Sequence, residues 1–178
     1  MATDQKACHK CLFSRPLDLV YFIYFLTHIP ITLCIDLQGF YPADQIPQVL
    51  KDAVAFYVNT YKDPFMGATT PIHWFEGVTL CELFLQLPFF FVALYGLYND
   101  SIHVRVGLMV YASHVATTMV PIFAELFFNP GFGLSESEIW TLFGFYVPYL
   151  IIPLTILIDS YIRVSKAISG ASAHIKTE

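Results

Sequence analysis

Four stretches of this chain, 16–37, 72–98, 102–128 and 139–162, are apolar over the length a helix needs to cross a bilayer, about 20 residues. Nothing else in the sequence constrains the fold as much. In hydrocarbon every backbone N–H and C=O must find a partner within the protein, so a spanning segment of this kind is a helix. Only 13% of the residues are charged, where a soluble domain has about a quarter. The expectation is an all-α polytopic membrane protein of one compact unit, in contact with the lipid bilayer. The first run is too long for a signal peptide, and no small-residue cleavage site follows it. A net charge of −5 without a basic patch argues against nucleic acid as a partner.

Each run carries an interior proline and a polar stripe beside it. In the first, His28, Thr32 and Asp36 are spaced four apart around Pro30. The second places Thr79, Glu82 and Gln86 ahead of Pro88, the third His114, Thr118 and Glu125 around Pro121, and the fourth Tyr146 and Tyr149 among Pro148 and Pro153. A proline removes a backbone donor and frees a carbonyl one turn back. Four kinked helices cannot pack closely in parallel, so a central pocket lined by these stripes is predicted. The threonines and tyrosines serve equally well as hydrogen-bonding links between helices. Asp36 and Glu82 are harder to read that way. A carboxylate near the bilayer centre costs at least about 2.5 kcal/mol and faces protein or a wet cavity. Two such acids with no lysine or arginine at their depth favour one extra positive charge. The chemistry points to a cation with an apolar body, stacked on aromatic faces; a proton relay uses the same groups.

The remaining segments are shorter. Residues 1–16 and 164–178 read as polar tails flanking a domain over 17–163, and 38–71 as a long loop. Within that loop 46–61 reads as an amphipathic helix, able to lie over the mouth of the bundle or in the interface. Asp63-Pro64 has turn chemistry. Asp18 suits the first turn of a helix beginning at Pro16, as a local cap, and Asp159 with Arg163 an i,i+4 surface pair. Cys34 and Cys81 read as core residues, and Cys8 with Cys11 is a lone CxxC, so neither a disulfide framework nor a metal site is expected and no cofactor is implied. Lys6, Lys10, Arg15, Arg105, Arg163, Lys166 and Lys176 gather at one end, so both termini are expected to be cytosolic, the long loop lumenal or external and the Asn99-Asp100-Ser101 sequon unused.

These motifs resemble the sigma-2 receptor family, within the EXPERA group that also contains the emopamil-binding sterol isomerase, and the resemblance is to a fungal-type member. The carrying residues are His28-Ile29-Pro30-Ile31-Thr32 through Asp36-Leu37-Gln38, Lys62-Asp63-Pro64, Cys81-Glu82-Leu83 through Gln86-Leu87-Pro88-Phe89-Phe90, Thr117-Thr118 with Pro121, and Tyr146-Val147-Pro148-Tyr149 with Pro153. The resemblance implies an endoplasmic-reticulum protein, often a homodimer, whose pocket binds sterols, oxysterols and cationic amphiphilic amines and serves sterol homeostasis or trafficking. It implies that Asp36 pairs with a ligand amine and that Glu82 hydrogen-bonds to that aspartate. His28, Tyr57, Gln86, Tyr111, Thr118 and Tyr149 are the matching pocket positions, with Asp63 and Thr32 in support. Fungal-type relatives are linked with protein delivery between reticulum and mitochondria. The isomerase pattern carries a glutamate four residues after its first-helix histidine. Here that place holds Thr32, so a receptor is expected rather than an isomerase. Lys176 does not complete a C-terminal lysine retrieval signal.

Overall fold

A computed structural model describes residues 11–175. Lys6, Lys10, Cys8 and Lys176, which entered the reading of charge, metal and retrieval signals, lie outside the described residues. The described elements are all helices, and four helical segments are long and apolar enough to cross a membrane: Pro16–Phe40, His73–Tyr98, Val104–Phe128 and Glu136–Ser172.

Two of the four spans are interrupted where the sequence withholds a donor, and the first changes pitch near its end. Helix α1 (Pro16–Cys34) starts on Pro16 and tightens into a 3-10 turn over Asp36–Phe40. Its free final carbonyls are taken up by side chains: Gln38 Nε2 donates to Cys34 O (2.6 Å) and Tyr41 Oη to Leu33 O (3.1 Å). A second bond from Gln38 Nε2, to Leu50 O at 3.1 Å, ties this turn to α2 (Gln48–Tyr61). The second span is α3 (His73–Cys81), a π turn (Glu82–Gln86) and α4 (Leu87–Tyr98). Pro88 cannot donate to the Phe84 carbonyl, and the backbone widens so that the Leu87 N–H reaches Glu82 O instead. Helix α5 (Val104–Phe128) runs unbroken through Pro121.

The fourth span divides at Val147 into α6 (Glu136–Tyr146) and α7 (Pro148–Ile175). A reciprocal Ser135–Glu138 cap opens α6, and Pro148 occupies the first position of α7, where its missing N–H is harmless. The segment after residue 163, read as a polar tail, is helical: α7 continues to Ile175, through Lys166, Ala167, Ile168 and Ala171, with no proline to end it.

Helix α1 packs along α4 and α5 along α7. Tyr21, Phe25, Phe90, Leu97, Leu108 and Ile156 form the main core, and Gly96 admits the Val104 side chain where any Cβ would collide with it. A smaller cluster of Phe65, Met119 and Ile122 closes the loop end. Large apolar side chains such as Phe84, Val110 and Phe128 point outward, as lipid-facing positions of a bundle do.

The opposite end holds a buried ion cluster, which corrects two expectations. Asp18, read as a local cap, is fully buried. It meets Arg15, Arg105 Nη2 at 2.7 Å and Arg163 Nη2 at 3.3 Å. The Asp159–Arg163 pair (3.0 Å) is a part of this cluster rather than isolated surface chemistry, since Arg105 Nη1 lies 3.6 Å from Asp159 Oδ2. Asp100 Oδ1 completes it, 3.1 Å from Arg15 Nη1. Helical periodicity within one span carries no sign of the charges that crossing helices bring to it.

Candidate functional site

Between the four spans and beneath α2 lies a cavity of about 370 Å³, within the range of small-molecule pockets. Helix α1 and its 3-10 turn contribute Tyr24, His28 and Asp36; the second span contributes Phe75, Glu82 and Gln86. Helix α5 adds Tyr111, Thr118 and Met119, the fourth span Phe145, Tyr146 and Tyr149, and the loop Tyr57 and Met66. All eight positions read as ligand contacts (His28, Asp36, Tyr57, Glu82, Gln86, Tyr111, Thr118 and Tyr149) therefore face one space. Thr32 and Asp63 stand behind its wall. His114 is not on the wall; it is partly buried on another side of α5, its Nε2 without a hydrogen-bond partner.

Glu82 and Gln86 open and close the π turn, and both line the cavity. Spaced four apart, they lie within the wider ring that the Leu87 N–H closes on Glu82 O. Thr32, wholly buried on α1, donates to Glu82 Oε1 at 2.5 Å and fixes that carboxyl from behind. No hydrogen bond joins Glu82 to Asp36. Among the described residues the Asp36 side chain makes neither a hydrogen bond nor an ion pair, and Glu82 and Asp63 both repel it. A carboxyl group on a largely apolar wall, without a partner among the described residues, is left for a ligand in the cavity to satisfy.

Asp63 organises the roof. It is 1% exposed and accepts four hydrogen bonds: from Tyr57 Oη (2.9 Å), Tyr146 Oη (2.6 Å) and the N–H groups of Phe65 (2.9 Å) and Met66 (3.0 Å). Its turn chemistry and its supporting position are thus one arrangement. Burial first, and then the neighbouring Asp63 charge, push the Tyr57 hydroxyl well above the usual phenol range, so it stays a donor. Lys62, in a left-handed conformation (φ 56°), reaches Glu138 at 2.5 Å and fastens the end of α2 to α6.

At the inner end His28 sits between two tyrosines, with ring centroids 4.6 Å from Tyr24 and 4.9 Å from Tyr149. Tyr24 Oη and Tyr111 Oη are 3.0 Å apart. Tyr24 escaped the sequence reading, although it lies four residues before His28 on the same face. Tyr146, read as part of a stripe lining the pocket, also donates to Asp63. Among the described residues no group of His, Cys, Asp and Glu converges in a way that would hold a metal ion.

A four-span helical membrane protein with two acids on an aromatic-walled cavity is the class that fold and site define. The family model for EXPERA (expanded EBP superfamily) matches residues 49–160, and the chain belongs to this family. Its relatives include sigma intracellular receptor 2 of Xenopus tropicalis, 37% identical over 152 residues, or 82% of this chain and 88% of that protein. The Homo sapiens sigma intracellular receptor 2 is 36% identical over 146 residues (76% and 82% of the two chains). Efficient mitochondria targeting-associated protein 19 of Schizosaccharomyces pombe is 31% identical over 160 residues (88% and 81%).

Proposed function

We propose that this protein is a receptor of sigma-2 type, which binds sterols, oxysterols or cationic amphiphilic amines in the membrane and serves lipid homeostasis. The observation that carries the reading is the Asp36 carboxyl group, unpartnered among the described residues and sharing the cavity wall with Tyr57, Tyr146 and Tyr149. An ammonium group beside it would be ion-paired and ring-stacked at once. The resemblance to two sigma intracellular receptors supports this assignment over most of the chain. The proposal includes an endoplasmic-reticulum location, cytosolic termini and a homodimer.

The test is binding of a tertiary-amine amphiphile to purified protein. Asp36→Asn keeps the shape and removes the charge, and is expected to weaken binding by about 2–5 kcal/mol. Unchanged affinity would remove Asp36 from the site. A second reading is favoured by the 31% identity with the targeting-associated protein of Schizosaccharomyces pombe: a role in delivering proteins to mitochondria. Cells lacking the protein would then show delayed mitochondrial import with an unaltered sterol profile, whereas the receptor reading expects redistributed sterol.

A further inference from the structure

The inner end of the cavity holds a hydrogen-bonding group that the protein leaves incomplete. Tyr24 and Tyr111 are 7% and 5% exposed, and their hydroxyls face each other at 3.0 Å. Two phenols carry two protons, and a single contact between them uses one. The hydroxyl that accepts keeps its own proton, and among the described residues no protein acceptor takes it. Both residues line the cavity. Gln86, 9% exposed on the same wall, likewise has a side-chain amide without a hydrogen bond. Buried donors are seldom left in this state, because desolvation without a partner is costly.

We infer that the Tyr24–Tyr111 pair, with Gln86, is a second recognition point that reads a neutral oxygen (hydroxyl, ether or carbonyl) at the far end of the ligand. An anionic group is disfavoured by chemistry, since Asp36 and Glu82 share the cavity and no lysine or arginine among the described residues lines it. The inference rests on Asp36 as the ammonium anchor and adds the length of the ligand. Tyr24 and Cys34 stand about 15 Å apart along α1, and Asp36 follows in the next turn. The ligand class is therefore a bipolar amphiphile: ammonium at the loop end, an apolar body, and an oxygen about 15–20 Å away.

The experiment uses the full chain in detergent and two matched probes, 12-(dimethylamino)dodecan-1-ol and N,N-dimethyldodecylamine. A single Tyr→Phe change leaves one free phenol proton, so the informative variant is Tyr24→Phe with Tyr111→Phe. It keeps both rings, and removing both partners of a bond is close to neutral for folding. The double variant is expected to bind the amino alcohol about five- to tenfold more weakly than wild type and the plain amine within about twofold. An equal change for both probes overturns the inference. Wild type alone supplies a second arm. The alcohol-to-alkane affinity ratio should be about fivefold higher for the dodecyl pair than for 8-(dimethylamino)octan-1-ol and N,N-dimethyloctylamine, which are too short to reach. Equal ratios would again overturn it. Asp36→Asn separates the claims. If it weakens both dodecyl probes while the Tyr pair makes no difference, only the inner point fails; if it weakens neither, the amine anchor fails and this inference with it.

Discussion

Glu82 and Asp36 are both carboxylates on one wall, yet their surroundings assign them different work. Thr32 donates to Glu82 at 2.5 Å, while Asp36 has no partner among the described residues. Glu82→Gln should therefore be the milder change, since an amide oxygen still accepts the Thr32 hydrogen bond; the expected loss of amine affinity is within about tenfold, read beside Asp36→Asn in one binding assay. Equal damage from both would make Glu82 a charge or proton carrier. Isomerising a sterol double bond needs an acid and a base at different carbons, and Thr32 cannot titrate near neutral pH. We expect no rescue of Δ7-sterol production in cells lacking the sterol isomerase, checked by mass spectrometry. Most of the site could be read residue by residue, because polar groups inside apolar runs are conspicuous. Tyr24 could not: a tyrosine next to Phe25 in an aromatic-rich helix gives no signal until its hydroxyl is seen against Tyr111.

The elements follow from prolines and caps, and their lengths were readable to within a turn in most cases. The π turn and the break at Val147 were not, since an interior proline signals a lost donor but not how the backbone compensates. That compensation has a consequence. Pro88→Ala restores an N–H to the turn and lets α3 and α4 rewind as one regular helix, which would rotate Glu82 relative to Gln86. Amine affinity should fall by about tenfold with no loss of thermal stability, measured on the same purified protein. Helix α2 buries none of its residues and depends on the bonds that hold its end. Asp63→Ala removes four acceptor contacts at a buried position. It should lower stability by about 2–4 kcal/mol in a denaturation series, against about 1 kcal/mol for Tyr57→Phe.

The whole molecule has two charged ends of different character. At one, Asp18, Asp100 and Asp159 neutralise Arg15, Arg105 and Arg163 inside the protein. Asp18→Ala would leave three guanidinium groups crowded and should cost about 3–5 kcal/mol; adding Arg105→Met should recover part of that, as removal of the uncompensated charge predicts. At the other end an acid stands open to the cavity, and the central claim is that its missing partner is the ligand's ammonium. A double-mutant cycle tests this most directly. N,N-dimethyldodecylamine and its uncharged isostere, with carbon in place of nitrogen, are titrated against wild type and Asp36→Asn. The account predicts a coupling energy of about 2 kcal/mol or more between the ligand charge and Asp36. A coupling below about 0.5 kcal/mol, with both ligands weakened alike by the substitution, would contradict it.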